Sequence, residues 1–269
     1  MRLLFIGDIV GKPGRKEVAR LVPYLKEKLQ IDKVIANYEN MAHGFGLTPK
    51  IFGEFSQLID IWTGGNHTFD RREIGQLLDQ YPQLLRPLNY FEAPGNWYWE
   101  GEGLVVINGM GIYGMPYGKN PFREIPSLLE RKGGEWGEKF IFIDFHGEAT
   151  SEKNALFHLL KGRVGAIVGT HTHVGTDDLV IEEGTLYLTD IGLTGCRDGV
   201  IGIEPEAPLY NMVTGLKRPF DVPKKCKSIF QALFIEAEGG KAVSAFKIKA
   251  IDGGEPFIAL RFPDSPSSL

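Results

Sequence analysis

The chain has 269 residues, of which 43% are hydrophobic and 24% are charged, a composition typical of a soluble globular protein. Its formal net charge of −4 argues against long nucleic acid as the main partner, because proteins that bind nucleic acid carry a basic surface. The two cysteines, Cys196 and Cys226, are too few for a disulfide framework, and we predict two reduced thiols. The first apolar run is too short for a signal peptide or a membrane span, so we expect a cytoplasmic protein with no membrane partner.

The first third of the chain alternates short apolar runs with helical patterns. Runs at 3–6, 34–36 and 59–63 predict buried strands. Helical patterns follow them at 15–29, from Thr48-Pro49, where proline suits the first turn, and near 72–78. This alternation predicts parallel strands joined by right-handed crossovers.

The rest of the chain predicts further strands and two helices. Antiparallel strands are expected at 97–99, 104–107, 112–115, 228–236, 242–251 and 257–262, and buried strands at 140–146 and 164–168. Ser151 is the expected cap of one helix, a second is expected near 210–216, and Glu183-Gly184 predicts a hairpin turn. We expect a single domain over residues 1–262, followed by a frayed tail at 263–269.

Polar side chains of metal-binding type follow the ends of the predicted strands. The set comprises Asp8, Glu39, Asn40, Asn66, His67, His146, His171 and His173. Four of the six histidines of the chain belong to it, and only His43 and His158 lie elsewhere. Because ligands of open α/β sheets bind beyond the carboxyl ends of the strands, we expect these side chains to form one site.

The segment 169–173 holds the densest part of this set, with His171 and His173 one residue apart. If the chain stays extended there, both imidazoles share one face. Such a pair either serves two neighbouring metal ions or clamps one ion. Imidazole, carboxylate and amide donors together favour Fe, Mn or Zn over Ca.

Each of these residues has an ordinary structural interpretation when it is taken alone. Asp8 is a candidate helix cap, Asn40 a turn residue, and His146 a hydrogen-bonded core histidine. Asn66 and His67 would then form a polar loop. A closed structural zinc site needs only four ligands, so eight candidates favour an open site instead.

Five motifs in chain order resemble the binuclear metallophosphoesterases of the calcineurin-like superfamily. They are Gly7-Asp8, Glu39-Asn40, Gly65-Asn66-His67, His146 and Gly169-Thr170-His171-Thr172-His173. The chain is most similar to the YmdB-like bacterial branch, in which the first motif lacks the usual histidine and Glu-Asn replaces the second aspartate. Residues 189–199 also resemble that branch.

Three residues depart from the pattern of that branch. Tyr38 stands where a small residue is expected, and His43 and Phe45 make the following loop bulkier. These departures concern the substrate pocket rather than the metal site. His43 is either solvated or in contact with substrate phosphate, and the aromatic run 97–99 favours a core or a subunit interface over stacking on a base.

The resemblance implies a four-layer α/β/β/α sandwich of two mixed sheets and a pair of metal ions, Fe and/or Mn, with Zn as an alternative. It implies that one ion is held by Asp8, Glu39, Asn40 and His173, and the other by Glu39, Asn66, His146 and His171. Glu39 would bridge the two ions, and His67 would face the substrate as a general acid. Asp144, on the same face as His146, is either its supporting partner or a buried capped carboxylate.

The resemblance also implies hydrolysis of small cyclic nucleotides, 2′,3′-cyclic first and 3′,5′-cyclic second, by in-line attack of a metal-bridging hydroxide. Two divalent ions and two carboxylates leave such a site positive, which attracts an anionic phosphodiester. The alternatives on the same residues are a phosphomonoesterase, a nuclease and a regulatory protein that binds metal and nucleotide with little turnover. The sequence is also compatible with a homo-oligomer.

Overall fold

The computed structural model describes residues 1–116 and 118–262. Its strands are β1 (Arg2–Ile6), β2 (Lys33–Asn37), β3 (Ile61–Thr63), β4 (Tyr98–Gly101), β5 (Leu104–Met110), β6 (Phe140–His146), β7 (Ala166–Thr170), β8 (Val180–Glu182), β9 (Thr185–Leu188), β10 (Gly195–Cys196), β11 (Ser228–Glu238), β12 (Lys241–Ile251) and β13 (Phe257–Arg261). Its helices are α1 (Gly11–Leu29), α2 (Pro49–Phe55), α3 (Ile74–Gln80), α4 (Pro121–Trp136), α5 (Thr150–Leu160) and α6 (Glu206–Thr214).

Two mixed sheets carry the fold. The first has the order β13-β12-β11-β1-β2-β3, with β10 added to β11, and β1, β2 and β3 run parallel. The second has the order β4-β5-β6-β7-β9-β8, with parallel strands in the middle and an antiparallel strand at each edge. The hairpin predicted at Glu183-Gly184 joins β8 to β9, as expected.

Three separate hydrophobic cores define four layers. Alternate residues of β1 serve different cores, because side chains of a strand point to opposite faces. Leu4 and Ile6 pack with α1, α2 and α3 residues, whereas Leu3 and Phe5 face the second sheet. The Phe5 ring meets the Phe142 ring there, with centroids 4.9 Å apart. The third core lies between the second sheet and α4 and α5, so the predicted α/β/β/α sandwich is confirmed.

Residues near the ends of α1 and α2, the helices that pack on the first sheet, explain where these helices begin and end. The Thr48 hydroxyl accepts from the Ile51 amide and Pro49 opens α2, as predicted. Helix α1 begins at Gly11, earlier than expected, and continues through Pro23. It ends where Gln30 adopts a left-handed conformation, with φ of 53°.

Two predictions for the second sheet are wrong, and one helix there was not predicted. No strand forms at 112–115, because the amides of Ile112 and Tyr113 donate to the Glu152 carboxylate at 2.8 and 3.1 Å instead of to a strand. Ser151 is not a cap, since α5 already begins at Thr150. The helix that was not predicted is α4, although Asn120, whose side chain accepts from the Phe122 amide at 2.9 Å, is a recognisable helix start.

The predicted tail at 263–269 lies outside the described residues, and the domain boundary at 262 stays a prediction. Within 1–116 and 118–262, no helix combines the length and the apolar character needed to cross a membrane.

The prediction of two reduced thiols is also wrong, because Cys196 and Cys226 form a disulfide. Their Cα atoms are 5.7 Å apart across a sequence separation of 30 residues. Cys196 lies opposite Ser228 in the pairing of β10 with β11, which brings it close to the end of the preceding loop. Sequence counting alone missed this contact, since it depends on strand register.

We predict that the Cys196→Ser, Cys226→Ser double variant loses about 3–4 kcal/mol of unfolding free energy, because the bridge closes a long loop in the unfolded chain. Urea titration of both proteins measures the loss. Thiol titration of the unreduced wild type is the control and should find no free thiol in the denatured protein. Two titratable thiols would contradict the bridge.

Candidate functional site

The carboxyl ends of parallel strands from both sheets meet at one edge of the sandwich. Asp8 follows β1, Glu39 follows β2, Asn66 follows β3, His146 ends β6, and His171 follows β7. The His171 amide donates to Asp8 Oδ2 at 3.3 Å, which joins the two sheets directly. These side chains therefore lie close together beyond the carboxyl ends of the strands, where they were expected.

Nε2 of His146 is the point on which the side chains converge. It lies 3.1 Å from Glu39 Oε1, 3.0 Å from Asn66 Oδ1 and 3.0 Å from His171 Nδ1. One ring nitrogen has at most one proton to share among these three neighbours. Carboxylate, amide and imidazole atoms gathered this closely form a ready set of ligands for a cation, and Glu39, His146 and His171 make up a candidate metal-binding group.

A buried hydrogen-bond chain fixes the tautomer of His146. The Thr170 hydroxyl donates to Asp144 Oδ1 at 2.6 Å, so its oxygen is left to accept from His146 Nδ1 at 3.0 Å. Nδ1 therefore donates to Thr170, and Nε2, which faces Glu39, is the ring nitrogen that would give up its proton to a bound metal ion. Asp144 thus acts on His146 through Thr170, the supporting role that was one of its two expected interpretations.

At this centre an ionised carboxylate lies beside a protonated imidazole. Burial opposes ionisation of Glu39, but the adjacent His146 outweighs it and lowers the Glu39 pKa to about 2. Burial likewise opposes charge on His146, but Glu39 raises the His146 pKa to about 9. Burial and His146 lower the His171 pKa to about 3, so this imidazole is neutral and keeps a lone pair for a ligand.

Asp8, Asn40 and His173 form the other half of the site. Asp8 Oδ1 and Asn40 Oδ1 are buried and have no hydrogen-bond partner among the described residues. The Asn40 amide nitrogen donates to Gly44 O at 2.9 Å, which fixes which end of the side chain is free. His173 Nε2 lies 4.0 Å from Asp8 Oδ1. Buried oxygens without partners are rare, and a metal ion would satisfy both.

The two histidines of the 169–173 segment do not share one face, contrary to the prediction of an extended chain. Both adopt left-handed backbone conformations, with φ of 98° for His171 and 66° for His173. His171 therefore turns towards His146, whereas His173 turns towards Asp8. Asp190 holds this turn, because its Oδ2 accepts from the amide and hydroxyl of Thr172 at 3.2 and 2.8 Å.

His67 lies beside the centre rather than in it. Its amide donates to Glu39 Oε2 at 3.0 Å, while its ring Nδ1 pairs with Asp70 Oδ2 at 2.8 Å. This leaves Nε2 as the ring nitrogen available to a substrate. Sequence reasoning missed Asp70, although a carboxylate three residues after the histidine was a usable signal. It also missed Glu148, which lies 3.0 Å from His171 Nε2 and orients that ring.

Of the three residues that depart from the expected pattern, Phe45 contacts a residue of the site. Tyr38 is fully buried in the core behind the first sheet, where its hydroxyl donates to Leu85 O at 2.9 Å, so it does not enter the pocket. His43 is exposed. Phe45 does reach the site, since its ring contacts His67 edge-on with centroids 4.9 Å apart.

A family model described as YmdB-like protein matches residues 4–251. The chain belongs to the YmdB-like family. The resemblance inferred from the five motifs is thereby confirmed, and it covers nearly all of the described chain.

Two relatives of this YmdB-like protein have names or descriptions that point to phosphoester chemistry, and a third has a similar structure. The 2′,3′-cyclic-nucleotide 2′-phosphodiesterase of Bacillus subtilis (strain 168) is 44% identical over 229 residues, which cover 82% of this chain and 86% of the relative. A crystal structure described as a novel phosphatase from Mycoplasma pneumoniae superposes with a TM-score of 0.86 at 31% identity, covering 94% of both chains. A hypothetical protein from Thermus thermophilus gives 0.83 at 38% identity, covering 98% of this chain and 100% of the other.

We predict that Gly65→Ala weakens metal binding by about tenfold or more, because an added Cβ would overlap the Glu39 carboxylate and the His146 ring. Elemental analysis after dialysis against limiting Mn²⁺ measures the effect. Gly53→Ala is the matched control, since a Cβ there meets nothing within 4 Å. Equal metal content in Gly65→Ala and wild type would show that Glu39 and His146 hold no ion.

Proposed function

We propose that this chain is a metal-dependent phosphodiesterase that hydrolyses small 2′,3′-cyclic nucleotides, with 3′,5′-cyclic nucleotides as a second group of substrates. The observation that carries the proposal is the convergence of Glu39, Asn66 and His171 on His146 Nε2, with His67 alongside. The name of the Bacillus relative supports this choice of substrate.

We propose that Asp8, Glu39, Asn40 and His173 hold one metal ion and that Glu39, Asn66, His146 and His171 hold a second. Fe and/or Mn, with Zn as an alternative, match these nitrogen and oxygen donors. Bound there, two ions would supply ionised water near neutral pH and positive charge for the phosphate. The unpartnered oxygens of Asp8 and Asn40 support a cation on their side of the site.

His67 is the residue that we assign to proton transfer. Water adds to phosphorus and releases one proton to solvent, the bond from phosphorus to ribose O2′ breaks, and a proton from His67 Nε2 passes to O2′. His67 then regains a proton from solvent. An alkoxide leaves poorly without that proton, and a histidine suits the task at physiological pH. Asp70 keeps the imidazole oriented through Nδ1. The product is then the nucleoside 3′-phosphate.

A phosphomonoesterase is the second candidate, because the Mycoplasma pneumoniae relative is described as a phosphatase. A nuclease and a regulatory protein with little turnover use the same residues. The His67 side chain is half-buried but still accessible, at 30% of its accessible area, which favours catalysis, since metal or nucleotide binding alone requires no proton donor there.

We predict that the protein, stripped with EDTA and reloaded with Mn²⁺, converts 2′,3′-cyclic AMP to 3′-AMP, while the stripped protein is inactive. Chromatographic identification of the product tests both the bond cleaved and the need for metal. Turnover of p-nitrophenyl phosphate alone would favour the phosphomonoesterase. Tight nucleotide binding without product would favour the regulatory protein.

We predict that His67→Ala lowers kcat on 2′,3′-cyclic AMP by about 10²–10⁴-fold, the usual contribution of a general acid. The loss on bis-p-nitrophenyl phosphate should be under about tenfold, because p-nitrophenolate leaves without a proton. Both rates and the metal content are measured on one preparation.

His158→Ala is the matched control for this variant, because His158 is an exposed histidine on α5 outside the site. It should keep the activity on both substrates. An equal loss on both substrates in His67→Ala would assign His67 to substrate or metal binding instead of proton donation.

A further inference from the structure

An apolar cavity of about 280 Å³ adjoins the candidate site. Three site residues, Asn40, His67 and His173, line one side of it. The opposite wall is apolar and comes mainly from the segment between residues 200 and 220, which faces Phe45. The wall segment lies inside the loop that the Cys196–Cys226 disulfide closes.

Two phenylalanine rings give this cavity flat faces. Phe45 and Phe220 are nearly parallel, with 17° between their planes and 6.4 Å between their centroids. Phe45 belongs to a fixed loop, because Arg71 donates to Phe45 O at 2.9 Å and to Ala42 O at 2.7 Å. Phe220 is 39% exposed, so its ring remains accessible from solvent.

We infer that this cavity binds the nucleobase of the substrate by stacking on Phe45 and Phe220. This inference rests on the proposed function and names the part of the substrate that the cavity takes. A phosphate would lose its hydration in an apolar cavity without gaining a charged partner, whereas a flat heterocycle suits such a lining.

The position of the cavity matches the covalent structure of a 2′,3′-cyclic nucleotide. The base is attached to ribose C1′, next to the C2′ that carries one of the two ester oxygens. The His67 ring contacts the Phe45 ring, and with Nδ1 paired to Asp70 its Nε2 is the ring nitrogen that can face the ester. A base against Phe45 therefore brings O2′, rather than O3′, closer to His67.

The lining also determines how selective the cavity is. Asn40 is the amide side chain in the lining, and its nitrogen is already committed to Gly44 O. Readout of base edges needs hydrogen-bonding side chains, whereas stacking tolerates every base. The cavity therefore accepts adenine, guanine, cytosine and uracil, with purines favoured by their larger faces.

The aromatic run 97–99 does not supply the base-binding face. The Tyr98 ring contacts the Trp97 ring at 5.2 Å and the Trp136 ring at 5.5 Å. All of these rings pack on the core of the second sheet. These contacts agree with the favoured expectation of a core or a subunit interface for this run, and Trp99 packs on the core between the two sheets.

The test compares 2′,3′-cyclic AMP with methyl riboside 2′,3′-cyclic phosphate, which keeps the ribose and the cyclic phosphate but has no base. In the Mn²⁺-loaded wild type, kcat/KM should be about 5- to 150-fold higher for the nucleotide, the equivalent of stacking one base at about 1–3 kcal/mol. Phe220→Ala should lower kcat/KM for the nucleotide and leave that for the riboside unchanged. Phe220→Trp should restore it.

Tyr24→Ala is the matched control, because Tyr24 is an exposed aromatic residue on α1. It should leave both substrates unchanged. If Phe220→Ala does not fold, Phe220→Leu, which keeps the apolar bulk and removes the ring face, takes its place. An equal loss on both substrates, or a wild type that does not distinguish them, overturns the inference while the phosphodiesterase activity stands.

A wild type that hydrolyses neither substrate overturns the proposed function instead. The inference is then decided by calorimetric Kd values for the same two compounds on the Mn²⁺-loaded wild type and Phe220→Ala. Tighter binding of the nucleotide that Phe220→Ala abolishes supports the cavity as a base site, and equal Kd values overturn it.

Discussion

The buried hydrogen-bond chain from Asp144 through Thr170 to His146 is the constraint on which the site depends. Asn37 of the first sheet donates to Asp144 Oδ2 at 3.1 Å, so the same carboxylate ties the two sheets together. Burial raises the Asp144 pKa to about 6, and the two donors keep the group satisfied. Leaving a buried acceptor without its donor costs about 1–3 kcal/mol, and more when the acceptor is charged, so these hydrogen bonds hold the strand ends in one register.

Close backbone approach is what allows these strand ends to converge. Gly7 lies against Gly192 O and Gly169 lies against Thr189 O, and a Cβ at either glycine would overlap that carbonyl. The ion pair between Lys153 and Asp190, 2.8 Å long and buried, stabilises the neighbouring turn that carries the two histidines. The polar side chains of the site therefore lie on rigid strand ends, whereas the segment between residues 200 and 220, which includes α6, supplies the apolar wall beside them.

Local patterns predicted most of the strands and helices correctly. Runs such as residues 3–6 and 140–146 are apolar throughout, which is typical of strands covered on both faces. Two of the failures occur where distant groups override the local pattern. The amides of Ile112 and Tyr113 donate to the Glu152 carboxylate, so the strand predicted at 112–115 does not form. The pairing of β10 with β11 brings Cys196 to Cys226, so the two predicted thiols form a disulfide instead.

The sequence by itself determined the kinds of side chain at the site and the strand ends at which they stand, because hydrophobic periodicity reveals where a strand stops. The tertiary structure alone decided the geometry: that His171 and His173 turn apart, that Glu148 orients His171, and that Phe45 and Phe220 face each other. These contacts join residues far apart in the chain or depend on backbone angles at single residues. Hydrophobic periodicity records neither, because it reports only which face of an element is buried.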